Sequence, residues 1–310
     1  MSAIQLCITY HDEHLVWKSD ILTPIQTGCA NAERLFDGML RDDDGENISR
    51  KNPNWCELTA QYWAWKNYGK LGNPDYIGFM HYRRHFMFDG WRGNPDKVWL
   101  PDGDVFYVPY ITERYRAHLG DDKILSAIRD CDCIAVVTPY DVKAIGSQNL
   151  REQFGKLEKQ KIENFDVFIQ TAKETAPDYV KEIEMIQHGS VQYLCNMFVM
   201  PRDLFFRYNE FCFPILFETE KRISIGDNDR TLGYLGEFLL SVFLFKLKAE
   251  NAKIKELSAS YLLSDKVWRH PHWSFWYYWF LSKITFGKLR KTFKAERKKL
   301  KMILKFNQAR

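Results

Sequence analysis

No stretch of this sequence approaches the roughly 18 uninterrupted apolar residues that a membrane-spanning helix needs. Its beginning shows no basic segment followed by an apolar core, so no secretory leader is expected. The 7 cysteines, at 7, 29, 56, 131, 133, 195 and 212, include neither a C-x-x-C pair nor a zinc-finger spacing. An odd count set inside hydrophobic runs predicts reduced, buried thiols in a cytosolic protein rather than a disulfide framework. Cys131 and Cys133 read as alternate residues of a strand in preference to a metal pair. Also missing are a phosphate-binding P-loop, a G-x-G-x-x-G fingerprint and a hydrolase triad, which removes those enzyme classes.

What is present suffices for a large core: 310 residues, 45% hydrophobic and 15% aromatic. The net charge of +4 hides a split. Lys283 to Arg310 carries eleven Lys or Arg against one acid, Glu296, whereas the preceding residues hold 33 basic and 39 acidic side chains. The body is mildly acidic and the tail strongly basic.

The chain is organised around Tyr76 to Phe86, Y-I-G-F-M-H-Y-R-R-H-F. Its first five residues have the composition of a buried strand. The polar cluster His81-Tyr82-Arg83-Arg84-His85 then falls at a carboxyl edge, where open α/β sheets bind ligands. Arginine offers a planar fork of donors matched to phosphate, and adjacent arginines serve one anion only where the backbone turns. An anion site, most naturally for a diphosphate, is expected; a solvated turn with surface ion pairs is the rival.

Around it the elements alternate as in an α/β domain. Ile4 to Tyr10 predicts a first strand leading to His11. Residues 40 to 54 predict a long surface loop in which Asp42, Asp43 and Asp44 form a solvated acidic turn. Asn54 is expected to cap a helix from Trp55 to about Tyr68, with Glu57 in its first turn. Strands are expected at 104–110, 131–138 and 191–200, a helical insertion at 148–187 and a long helix at 204–220. Asp130-x-Asp132 precedes an apolar run rather than following it, the wrong end of a strand for a metal-holding D-x-D.

Asn196 stands in an apolar setting and needs partners, either as a structural bridge or as a ligand contact. A helix from about Gly236 to Leu247 is apolar nearly all round, so Glu237 at its amino end points toward a cavity. A carboxylate there serves as a general base, or else only meets the helix dipole. Asp227, Asp229 and Arg230 form a second-choice site for a metal, a base or an acceptor, or else a plain turn.

From Trp268 the composition changes to W-R-H-P-H-W-S-F-W-Y-Y-W-F, the residues of an interfacial belt. Phe286, Leu289, Phe293, Leu300, Ile303 and Leu304 then share one helical face among the cations. That pattern predicts an amphipathic helix on an anionic membrane surface. Nucleic acid is the rival partner, though it requires no apolar stripe and is not expected.

Y-I-G-F-M-H-Y-R-R-H-F, together with E-L-T-A-Q-Y-W-A-W-K-N at 57–67, C-N-M-F-V-M at 195–200 and G-Y-L-G-E at 233–237, resembles the DUF4422 family of bacterial glycosyltransferases. The resemblance spans roughly residues 3 to 250. It implies a single Rossmann-like α/β domain of GT-A type over 1–265, with helical insertions and a basic tail at 266–310. It also implies transfer of a hexose, galactofuranose from a UDP donor as the best expectation, to a lipid-linked or growing surface polysaccharide of capsule or O-antigen. His11, His81, Tyr82, Arg83, Arg84 and Asn196 would bind the donor and Glu237 would be the base of an inverting transfer. The missing D-x-D leaves a divalent cation, Mn or Mg, open. The expected location is cytoplasmic, peripheral on the inner face of the cell membrane. Two alternatives stand: a retaining transferase on the same scaffold, and a non-enzymatic membrane or RNA-binding module acting through its tail.

Overall fold

The computed structural model describes residues 4–88, 98–99, 105–108, 111, 113–128, 133–136, 139–226 and 229–262. The expected 265/266 boundary, the tail, Asp130-x-Asp132 and Asp227 lie outside them. The contacts of the chain divide it into two compact units, 1–82 with 128–257, and 83–127 with 258–310. The described strands are β1 Ile4–Tyr10, β2 Leu22–Gln26, β3 Leu40–Arg41, β4 Tyr76–His81, β5 Arg84–Phe86, β6 Val98–Trp99, β7 Val105–Val108, β8 Cys133–Val136, β9 Tyr140–Asp141, β10 Val191–Gln192, β11 Phe198–Pro201, β12 Ile254–Leu257 and β13 Ala259–Leu262. The α-helices are α1 Asn52–Trp55, α2 Leu58–Lys66, α3 Glu113–Ala117, α4 Asp121–Ile128, α5 Leu150–Gly155, α6 Ile162–Thr175, α7 Val180–His188, α8 Arg202–Arg222 and α9 Thr231–Ala249.

The first unit holds a sheet in the order β3-β2-β1-β4-β11-β8-β12. Strands β1 to β4 run parallel, β11 is antiparallel to both β4 and β8, and β12 is parallel to β8. β1 and β4 pair from Ile4↔Tyr76 to Thr9↔His81, so their carboxyl ends lie side by side. The inner four residues of β4 are buried, as a strand covered on both faces requires. Gly78 permits the close approach of β11: a Cβ there would stand 2.5 Å from the Phe198 carbonyl oxygen. Helices α1, α2, α6, α8 and α9 all contribute to the core, where Phe165 meets Phe238 edge to face at 5.3 Å and Trp55 stacks on Phe213 at 6.2 Å. This is the expected α/β class, with a parallel-rich sheet and helices.

Three local expectations are corrected. The helix expected at 55–68 is two, α1 and α2, broken at Cys56 with φ 52° and ψ −133°. Asn54 therefore does not cap; it sits inside α1 and donates to Gly226 O at 2.8 Å and Asp229 Oδ1 at 3.1 Å. The strand expected at 191–200 is β10 and β11, separated by Cys195 and Asn196 in left-handed conformation. Asp42 is fully buried rather than solvated and accepts from Gly28 N, Cys29 N, Ser49 Oγ and Thr59 Oγ1. It organises the loop of residues 40–54 from within.

In the second unit β13 pairs antiparallel with β5 and parallel with β7, and β6 is antiparallel to β7. His85 is buried here, its Nδ1 2.7 Å from the Tyr115 hydroxyl, which lies 2.6 Å from Ser260 Oγ. Among the described residues no helix is long and apolar enough to cross a membrane.

Candidate functional site

The carboxyl ends of β1 and β4 carry the polar groups that the sequence singles out. Tyr10 closes the loop after β1 on itself, its hydroxyl accepting from Trp17 N at 2.9 Å and donating to Leu15 O at 3.1 Å. That loop brings His11 and His14 to Tyr82. The Tyr82 hydroxyl lies 3.3 Å from His11 Nε2, and the His14 ring stacks on Tyr82 at 4.1 Å. Tyr82 is buried by this packing while His11 stays exposed.

His81, the last residue of β4, stands between two neighbours. Its Nδ1 lies 3.3 Å from Thr9 Oγ1 on β1, and its Nε2 lies 2.6 Å from the Cys195 carbonyl oxygen. A carbonyl only accepts, so Nε2 is the nitrogen that carries the proton. Cys195 with φ 75° and Asn196 with φ 46° form a left-handed pair between β10 and β11. Asn196 is 1% exposed, and its Nδ2 donates to Glu57 Oε1 at 2.7 Å and to Gly233 O at 3.2 Å. Its Oδ1 has no partner among the described residues.

The G-Y-L-G-E segment lies inside α9, not ahead of it, so Glu237 is in the second turn rather than at the amino end. The helix starts at Thr231 because Asp229 holds it: its carboxylate accepts from Thr231 N at 3.0 Å, Gly226 N at 2.8 Å and Asn54 Nδ2 at 3.1 Å. Gly233 is small because Cys56 packs against it, and Gly236 because Leu58 does. Gly233 and Glu237, one turn apart, share a face of α9.

Cys56 is the meeting point of this group. Arg230, itself left-handed with φ 61°, donates its Nε to Cys56 Sγ at 3.3 Å and lies 5.5 Å from the Tyr234 ring. Burial pushes the Cys56 thiol up to about 12; the charges of Glu57 and Glu237 add to the rise and Arg230 opposes it. The Arg230 guanidinium is raised first by Cys56. A thiol at about 12 is neutral at pH 7, so in practice the charges Arg230 answers there are carboxylates. Four non-glycine residues at positive φ, Cys56, Cys195, Asn196 and Arg230, thus belong to one hydrogen-bonded and packed group. Conformations of this kind cost on the order of 1–3 kcal/mol each and persist where their surroundings over-determine them, which is common at functional sites.

In the second unit the turn after β4 brings both arginines to one aromatic ring. The Arg83 and Arg84 guanidinium carbons lie 5.8 and 5.3 Å from the centre of Tyr261. The backbone turn that two adjacent arginines need to serve one ligand is present.

The first unit therefore links His11 with Tyr82, His81 with the Cys195–Asn196 turn, Asn196 with Gly233 of α9, and Arg230 with Cys56, and it commits Asp229 to capping; Glu237 lies one turn along α9 from Gly233. The sequence gives Thr9, His14 and Cys56 no signal as members; Glu57 and Cys195 are marked only by opening two of the quoted motifs, and Glu57 also as a first-turn anion. Among the described residues no group of three or more His, Cys, Asp and Glu stands ready for a metal ion.

The family model described as "Domain of unknown function (DUF4422)" matches residues 5–249. The apo structure of the WbbM bifunctional glycosyltransferase matches with a TM-score of 0.75 and 31% identity. The match covers 84% of this chain and 45% of that one, so the chain spans less than half the length of that protein. No curated protein matches. With four fifths of its length under the family model, the chain belongs to the DUF4422 family.

Proposed function

We propose that the chain is a glycosyltransferase that takes a hexose from a nucleotide-diphosphate donor and passes it to a glycan. The observation that carries the reading is the polar group at the carboxyl ends of β1 and β4, on a fold similar to that of a bifunctional glycosyltransferase. Tyr82 and His11 bind the donor at that edge, and His81 and Asn196 hold its surroundings in place. Arg83 and Arg84, the next residues along the chain, bind the diphosphate and stabilise the charge that grows as it departs.

Glu237 is the general base. Its carboxylate takes the proton of the acceptor hydroxyl as that oxygen attacks the anomeric carbon, whose bond to the diphosphate breaks with inversion. Arg230, the residue just ahead of α9, orients the acceptor. Asp227 stays the second choice for a base or a cation ligand; the commitments of Asp229 leave it the capping role. The finer identity, galactofuranose from UDP onto a lipid-linked surface polysaccharide, follows the family resemblance. Recruitment to the inner membrane face rests on the composition of 268–310.

Calorimetric titration of UDP tests the reading on the wild type and on the Arg83→Ala, Arg84→Ala double variant, with and without manganese. The wild type is expected to bind and the variant to lose at least about tenfold in affinity, roughly 1.4 kcal/mol. Dependence on manganese brings Asp227 forward as a ligand. A wild type that binds no uridine nucleotide in either condition removes the donor assignment. The anomeric configuration of the product separates inversion from retention, and retention makes Glu237 structural.

A further inference from the structure

We infer that Glu57 is a positioning residue of this site, holding the Cys195–Asn196 turn and, through it, the ring of His81. The functional consequence rests on the donor-site reading above; the geometry does not. Asn196 Nδ2 is placed by its two neighbours, Glu57 Oε1 and Gly233 O, both oxygens, so the nitrogen must face them. Oδ1 has no partner among the described residues, so the buried side chain is held through Nδ2 alone. Of its two bonds, the one to Glu57, at 2.7 Å, is the shorter, and the one to Gly233 spans 3.2 Å. Glu57 is the anchor.

The turn needs an anchor. Two consecutive non-glycine residues in the left-handed region, φ 75° and 46°, relax unless they are held. Glu57 grips Asn196, and His81 Nε2 grips the Cys195 carbonyl at 2.6 Å. The same His81 ring reaches Thr9 Oγ1 on β1 through Nδ1. A continuous path therefore runs from Glu57, at the head of α2, through the turn to the carboxyl ends of β4 and β1. Without Glu57 the turn relaxes, the Cys195 carbonyl leaves Nε2, and the ring loses the contact that fixes its tautomer. Glu57 reaches the donor through Asn196 and His81 rather than by touching it.

The test uses the full chain as wild type, Glu57→Gln, Glu57→Ala, Asn196→Ala and the double variant Glu57→Ala, Asn196→Ala. Long-range nitrogen–proton NMR reads the His81 ring, its signals assigned by their loss in His81→Gln, and calorimetry reads UDP affinity. Glutamine keeps an oxygen for Asn196, so Glu57→Gln is expected to retain the Nε2–H signature and to bind UDP within about twofold of wild type. Glu57→Ala and Asn196→Ala are expected to lose the single-tautomer signature and about tenfold in affinity, with the double variant no worse than either, as members of one network behave. A His81 signature unchanged in Glu57→Ala overturns the inference. So does a Glu57→Gln that loses as much affinity as Glu57→Ala, because the charge itself is then what acts. If Glu57→Ala does not fold, Asn196→Ala reads the same link from its other end. A wild type that binds no UDP removes the donor reading, and the NMR arm then decides the network by itself.

Discussion

A methyl group on Gly233 would stand 2.9 Å from Cys56 Sγ and 3.2 Å from Cys56 Cβ. The thiol fills the space that the glycine leaves. Gly233→Ala gains helix propensity of roughly 0.5–1 kcal/mol but overpacks this contact at a cost of about 1–3 kcal/mol. A net loss in urea unfolding is expected. Adding Cys56→Ala should recover most of it, because the two changes meet at one contact. A stabilised single variant would show that α9 slides on α1 at no cost.

Gly78 is the tighter case. A Cβ there meets the Phe198 carbonyl oxygen at 2.5 Å, Leu6 Cδ2 at 2.6 Å and Val199 Cγ2 at 2.7 Å, and the first of these is backbone. Gly78→Ala has to push β11 off β4, and about 2–4 kcal/mol of lost stability is expected. Thermal melting reads the loss, and an unchanged melting temperature would contradict the β4–β11 register.

The fold was legible where burial alone decides the local structure. Tyr76 to Met80 and the α9 segment F-L-L-S-V-F-L-F read as interior, and all but Tyr76 and Phe245 at their ends are buried. That two adjacent arginines need a turn to serve one anion was legible from their alternation in extended chain, and the turn lies at Tyr82 and Arg83. Illegible were the positions set by distant partners. Nothing in N-P-N-W-C-E-L predicts a break at Cys56, since helix propensity favours continuation. Contact with Gly233, 177 positions on, accompanies the break. The tie between Glu57 and Asn196 spans 139 positions, and neither residue names the other. Asp42 misleads for the same reason. A run of aspartates reads as a solvated turn, yet four donors from three segments close around this one.

Asp42 therefore carries a prediction of its own. Its Oδ2 accepts from Gly28 N at 2.7 Å and Thr59 Oγ1 at 2.6 Å, and its Oδ1 from Cys29 N at 3.0 Å and Ser49 Oγ at 2.5 Å. Asp42→Ala leaves buried donors unmatched and is expected to lose about 3 kcal/mol or more. Asp42→Asn turns an amide nitrogen toward two of those donors and is expected to recover only part of it. Urea unfolding at pH 7 measures both. An Asp42→Asn as stable as wild type would mean that the pocket needs oxygen on one side only.

The buried thiols set the alkaline limit of stability. Burial raises Cys7 and Cys212 from the ordinary 9.0 to about 12. An acid raised in the folded state keeps its proton there while the unfolded chain releases it, so above pH 9 the unfolded state binds fewer protons. The stabilisation is complete below pH 9 and is withdrawn as pH rises toward 12. Each thiol contributes a slope of about −1.4 kcal/mol per pH unit in that window. Tyr208, raised above 10.0 by its burial, adds a further fall from about pH 10 upward. Urea midpoints under reducing conditions should therefore be flat from pH 7 to 8.5 and decline steeply by pH 10.5. Cys212→Ala, once its own cost at pH 7 is subtracted, should show a shallower decline by one thiol's share. A midpoint constant to pH 10.5 would mean that these thiols reach water in the folded protein, against the packing of Cys7 in β1 and Cys212 in α8.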